Sequence, residues 1–263
     1  MTHDETLFAG AAPYYMKYRI PYPQDLIDDI VSHFELDGTG RLLDLGCGPG
    51  LLTLPLAPHF AEVVGIDAQP EMIDEARKAN AANVEWHVMR AEDVPASFGK
   101  FRVVTCGSSF HWMDRDLVLR RAREEWFEEG AGIALAGGGS SWWDGKEDWH
   151  QSITNLLRKY LGDPRRAGGA GFWRYVTQER FEQTLPRNGW RIELHRGYDV
   201  PFTWTPDKIV GHLWSSSFSA RPLFGDRVDE FERELRAELA ALHPDGTLRE
   251  VGGFGLVCGR PPS

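Results

Sequence analysis

The sequence predicts an α/β fold, a mostly parallel β-sheet with helices on both faces. Three observations predict it. Short runs rich in Val, Ile and Leu recur along the chain, separated by segments whose apolar residues repeat at helical spacing. The first of these runs ends in LLDLGCGPG (42–50), an acidic residue followed by three glycines at alternate positions. No Gly/Ser or Pro linker and no internal repeat divides the 263 residues, of which 42% are hydrophobic, enough to build one substantial core.

The elements follow in order. Residues 41–46 read as a buried strand, and 51–60 as the helix after it, with Pro55 tolerable only in its first turns. Residues 62–67 (EVVGID) form a second strand. Residues 70–80 form a helix opened by Pro70, with Met72, Ile73 and Ala76 inward. Strands at 84–90 and 101–107 come next, then a helix at 115–127 with Leu117, Leu119, Ala122 and Trp126 inward, then a strand at 132–138. Beyond 139 the rhythm changes. Trp142, Trp143, Trp149, Phe172, Trp173 and Tyr175 surround a helix expected at 147–161. A helix at 177–190, capped by Thr177 and stopped at Gly189, leads into a long strand at 191–204. A helical excursion fills 205–242, and GFGLVCGR (253–260) closes the sheet. The reading is one domain over 1–263: an N-terminal cap (1–36), a ligand-binding core (37–139), and two insertions (140–176 and 203–245) expected to act as a substrate lid.

Composition narrows the function. Lys and Arg total 29 against 39 Asp and Glu, a formal net charge of −10, which disfavours nucleic-acid binding. Arg120, Arg121 and Arg123 read as a solvated helix face. The start MTHDETLFAG has neither a basic stretch nor an apolar run, so no signal peptide or membrane anchor is expected, and a cytoplasmic location is the default. Cys47, Cys106 and Cys258 are too dispersed for a disulfide framework, and the histidines show no ligand spacing, so no metal is expected. Ser215, Ser216 and Ser217 lack the context of a nucleophilic serine.

The glycine stretch points to a nucleoside ligand. Gly46 permits a tight turn, Gly48 lets backbone approach a ligand, and Gly50 lets helix and strand pack closely. A dinucleotide loop reads GxGxxG, whereas here the third glycine comes one residue early and Leu51 takes its place. Asp67 ends the second strand, where a carboxylate accepts hydrogen bonds from both ribose hydroxyls.

The stretches LLDLGCGPG, VVGIDAQPEMIDEAR, MRAEDVP and VVTCGSSFHWMD resemble, in order and spacing, the four sequence blocks of class I S-adenosylmethionine-dependent methyltransferases, and YYMKYRIPYPQDLID resembles the segment that covers the cofactor in many small-molecule members. The resemblance implies a Rossmann-like, seven-stranded fold with S-adenosyl-L-methionine as cofactor and S-adenosyl-L-homocysteine as product. It extends to actinobacterial enzymes that methylate natural products, including antibiotic precursors. Carried over by position, it puts Gly46, Cys47 and Gly48 along the methionine and ribose, and Asp67 on the ribose hydroxyls. Ala68 and Met72 flank the adenine, with Ala91 and Glu92 at its edge. Gly107, Ser108 and Trp112 fall beside the sulfonium, and Arg19 on the cofactor carboxylate. Many relatives carry an acid before that Ala, where this chain has Arg90, so Glu92, Asp93 or water must accept the adenine amine.

For the chemistry, His111 is either a general base or a packed ring, with Tyr14, Tyr15 and Tyr18 as further catalytic candidates and Phe110 and Trp112 as pocket walls. Asp44 is expected to steady the glycine loop. The expected reaction is N-methylation of a small-molecule acceptor, with O-methylation of a carboxylate or hydroxyl as the alternative. A nicotinamide-dependent oxidoreductase and a non-catalytic cofactor-binding protein are more remote readings. Nothing in the sequence sets the oligomeric state.

Overall fold

The computed structural model describes residues 8–140, 142, 145, 147–163, 166, 167, 171, 172 and 180–262. Its central sheet contains β1 (Arg41–Leu45), β2 (Glu62–Asp67), β3 (Val84–Val88), β4 (Phe101–Gly107), β5 (Phe127–Gly139), β6 (Arg191–Trp204) and β7 (Leu248–Arg260). The order across the sheet is β3-β2-β1-β4-β5-β7-β6. Pairs from β3 to β5 are parallel, while β7 runs antiparallel to both neighbours. A separate two-residue ribbon pairs Arg166–Ala167 with Gly171–Phe172.

The parallel strands are buried on both faces, as crossover helices require. On β1, Leu43 and Leu45 join the core that holds α5 (Arg115–Arg121) and Trp126, while Leu42 faces the core of α2 (Gln24–His33). A third core lies outside the sheet. It joins Trp142, α6 (Asp148–Leu161), Trp204, α8 (Pro206–Trp214) and α9 (Val228–Leu242), the helical layer expected from the sequence to act as a lid, hereafter the lid. The cap adds α1 (Ala12–Tyr18), packed between α8 and α4 (Pro70–Arg77).

Several elements differ from their sequence expectation. The helix expected at 51–60 is one α-turn, α3 (Thr53–Leu56), followed by a 3-10 turn, Ala57–His59, because Pro55 and Pro58 each remove a backbone donor. The helix expected to reach 127 changes to a π-turn at Ala122–Trp126, and Phe127 already pairs with Phe101. Its buried face uses Val118 rather than Leu117, which is partly exposed. Arg121 is no solvated side chain: it donates to the Val94 carbonyl at 2.7 Å and to the Glu92 carbonyl, tying α5 to the loop after β3. β5 and β7 begin five residues earlier than expected, and β3 stops at Val88. α7 covers only Phe181–Arg187, with Pro186 in its last turn. Thr177, Trp143, Trp173 and Tyr175 lie outside the described residues, as does the Phe172 side chain.

Candidate functional site

Strand order reverses between β1 and β4, and open α/β sheets bind ligands in the crevice at such a point. The glycine loop lies there. Gly46 has φ +64°, and a Cβ on it would stand 2.6 Å from the Ser109 Cβ, so β1 and β4 exit side by side only because this position is glycine. The Ser109 hydroxyl donates to the Leu45 carbonyl at 2.6 Å and fastens that approach. Gly48 has φ +55°, and the space where its Cβ would be is open. Gly50 backs onto Leu54 of α3 and the Trp86 ring of β3. Trp86 gave no sequence signal as a support for the loop.

Asp67, at the end of β2, faces this loop. One carboxylate oxygen accepts from the Gly48 N–H at 2.9 Å, the other from the Gln69 N–H at 2.8 Å. Ala68 follows, half-buried, and Met72 of α4 is buried against Ala11 and Ala12 of the cap. Ala91 is buried and opens the turn after β3. Glu92 uses one oxygen to accept from the Asp114 N–H at 2.8 Å and the other to pair with Arg90 at 3.3 Å. Both oxygens of Glu92 thus have partners within the protein, and Asp93 is exposed. Trp112 meets Phe8 edge-on at 6.2 Å.

A small cleft opens beside the loop, lined by Tyr15, Tyr22, Asp44, Gly46, Cys47 and Gly107, with Leu51 and Leu52. Asp44 is fully buried and accepts hydrogen bonds from Thr53 and Thr105. Burial pushes its carboxyl up to about 6 against those two bonds. Asp44 therefore anchors α3 and β4 rather than the glycine backbone. Burial also raises the Cys47 thiol, so no reactive thiolate enters the cleft. The cleft wall contains two tyrosines: Tyr15, which the sequence nominated, and Tyr22, which it did not. Tyr14 and Tyr18 are one helical turn apart on α1 and stack on each other at 6.3 Å, with the Tyr18 ring against Gly211 of α8. They face the lid; Tyr15 and Tyr22 face the cleft. The i, i+4 spacing of Tyr14 and Tyr18 was the available signal that these two share a face apart from Tyr15.

Arg19 joins cap to lid. Its guanidinium donates to the Ser215 carbonyl and to the Ser216 hydroxyl, each at 3.1 Å, and lies over the Tyr15 ring at 4.9 Å. Its Nε is buried without a hydrogen-bond partner. The serine run is thus a buried joint of the lid. His111, in the turn Phe110–Trp112 after β4, is pushed down to about 4 by burial and the Arg115 charge. Phe110 is no pocket wall: it is fully buried against Phe181.

The arrangement fits a nucleoside ligand bearing an amino acid. Gly48 leaves an open cradle, Asp67 provides a carboxylate at its edge, and the buried, unpaired Nε of Arg19 is a donor suited to a carboxylate. The fold and site together define an open α/β protein with a glycine-loop cleft at the switch point of its sheet. Residues 42–127 match the methyltransferase domain family. The ubiquinone biosynthesis O-methyltransferase of Cereibacter sphaeroides is 31% identical over 169 residues, 53% of this chain and 68% of that protein. An uncharacterized methyltransferase of Schizosaccharomyces pombe is 28% identical over 67% of this chain and 68% of its own; for a second one from that yeast, 29% identical, the match covers 57% of each. A solved methyltransferase of Geobacter sulfurreducens in complex with S-adenosyl-L-homocysteine is 14% identical, with a TM-score of 0.52 over 97% of this chain and 98% of that one. The chain belongs to the class I S-adenosylmethionine-dependent methyltransferases, and S-adenosyl-L-methionine is its cofactor. Among the described residues, no helix is long and apolar enough to cross a membrane.

Proposed function

We propose that this protein transfers the methyl group of S-adenosyl-L-methionine to a neutral nitrogen of a small-molecule acceptor. The observation that carries this reading is His111. It lies in the turn Phe110–Trp112 that follows β4, and burial and the Arg115 charge push it down to about 4. An imidazole of that basicity is a weak proton acceptor for a hydroxyl at neutral pH. Tyr22, on the cleft wall, is raised by burial and stays a phenol. A nitrogen that sheds its proton before binding needs neither group; it needs alignment with the S–CH₃ bond and exclusion of water, the roles this reading gives to cap and lid. The bound sulfonium makes the methyl group electrophilic.

O-methylation is the second reading, favoured by the 31% identity to the ubiquinone biosynthesis O-methyltransferase. That the acceptor is a natural-product intermediate rests on the sequence resemblance alone and belongs to the same proposal. Paired amine and phenol acceptors incubated with enzyme and cofactor, followed by mass spectrometry for the gain of one methyl, test the reading. Methylated amines support it; methylation confined to hydroxyl or carboxylate oxygens overturns it.

A further inference from the structure

We propose that Tyr22 and Ser108 form a charge-reading pair at the methyl end of the cleft. The Tyr22 hydroxyl directs its hydrogen bond to Ser108 and turns its oxygen lone pairs on the sulfonium, so the site holds the cationic methyl donor more tightly than the neutral product. This rests on the cofactor assignment and is independent of whether the acceptor atom is nitrogen or oxygen.

Four observations carry it. Tyr22 lines the cleft with Gly46 and Gly107, at the carboxyl ends of β1 and β4. Its hydroxyl oxygen is 2.9 Å from where a Cβ on Gly107 would stand, so the strand ends in glycine where the phenol must lie. That hydroxyl lies 3.3 Å from the Ser108 Oγ, placed to donate to it and leave its lone pairs for the cleft. Ser108 itself has φ +53°, one of three non-glycine residues with positive φ among the described residues. Its N–H donates to the Ala136 carbonyl at 2.8 Å, which holds the strained backbone in place. A glycine would adopt that conformation without cost, so the serine is explained by its hydroxyl. The Phe254 ring, 5.6 Å from the Tyr22 ring, limits the phenol to this orientation. Burial keeps it protonated, so it acts as an oriented dipole of constant sign. The buried Asp44 carboxylate adds a field of the same sign from below, so Tyr22 supplies part of the discrimination.

Isothermal titration with S-adenosyl-L-methionine and with S-adenosyl-L-homocysteine tests this without any acceptor. In Tyr22→Phe, affinity for the methyl donor is expected to fall about 5-fold, the scale of a close C–H···O contact, while affinity for the product stays within about 2-fold. Ser108→Gly relieves the strained φ but removes the acceptor, so the phenol proton turns into the cleft. It is expected to weaken the methyl donor at least as much as Tyr22→Phe does. In the double variant, Ser108→Gly is expected to add nothing, because it acts only through the Tyr22 hydroxyl. Thermal melting without ligand confirms folding, and Ser108→Gly decides the matter if Tyr22→Phe does not fold. Equal losses for donor and product, or no loss, overturn the proposal. A further loss from Ser108→Gly in the Tyr22→Phe background overturns the pairing.

Discussion

Gly48 and Asp67 bind each other through the loop backbone, so a change at either acts on both loop and ligand. Gly48→Ala puts a side chain at φ +55°, at a cost of about 1–2 kcal/mol, and into the open cradle. The expected result is a folded protein with S-adenosyl-L-homocysteine binding weakened by more than about 10-fold in titration calorimetry. Asp67→Ala removes a carboxylate at the end of β2 together with its bonds to Gly48 and Gln69, and is expected to weaken the same titration at least as much. For His111→Ala, turnover should change by less than about 3-fold with cofactor affinity retained; a loss in the ~10²–10⁴-fold range of a positioned base would return His111 to that role. Two histidines also shape stability against pH. His111 is lowered to about 4 and His212 to about 3, both mainly by burial. Their contribution is present above the unfolded pKa near 6.5 and is lost as pH falls through 4 and 3. Asp44 works oppositely: raised to about 6, it contributes stability below about 4 that is lost as pH rises through 6. Relative to the native chain, Asp44→Asn should therefore gain melting temperature between pH 4 and pH 7.

At the scale of elements, α1 is the joint between cofactor core and lid. One side packs Ala12 and Tyr15 against Met72 of α4, and the Gly10 N–H donates to Glu71 at 2.9 Å. The other side presses the Tyr18 ring onto α8, where a Cβ on Gly211 would stand 2.3 Å from it. The Tyr18 carbonyl also accepts from His212 Nδ1 at 3.2 Å, which fixes that ring's tautomer. Gly211→Ala should force α8 away from α1 and lower stability by about 1–3 kcal/mol in thermal or denaturant melts, the usual cost of overpacking a tight contact. Since Arg19 reaches the lid through Ser215 and Ser216, the same variant should raise KM for the acceptor more than it lowers affinity for the cofactor. The cap shows where sequence reading stops. Four tyrosines fall between residues 14 and 22, and chemistry alone does not rank them. The turn of α1 sends Tyr14 and Tyr18 to the lid, and the extended stretch after it brings Tyr22 to the cleft. The glycine loop was legible because its signals are local: positive-φ glycines and a strand-end carboxylate. Tyr22 and Trp86 act across the fold, and no local pattern marks them.

The described residues form a sheet with two large cores of its own and a lid with a third, coupled by the long antiparallel β6–β7 pair. Parallel strand order was readable from alternation of strand and helix, whereas the early start of β7 was not, because Leu248–Gly252 pairs with β6 beyond the sheet proper and packs into the lid. Glu250 sits on that extension. It accepts from His150 Nε2 of α6 at 2.9 Å and from the Trp204 indole N–H at 2.7 Å, and both partners are buried. These bonds hold its carboxyl below the usual carboxylate range despite burial. Glu250→Ala would leave two buried donors without an acceptor, each costing about 1–3 kcal/mol, and the cost would fall on the lid core. The sheet cores around β1, β2 and β4 share none of these contacts. Hydrogen exchange of this variant should therefore quicken in α6, α8 and the 201–204/248–251 ribbon while β1, β2 and β4 keep their protection. S-adenosyl-L-homocysteine should still bind, because the glycine loop and Asp67 stand on the protected side. Uniform acceleration across the sheet would show instead that lid and core unfold as a single unit.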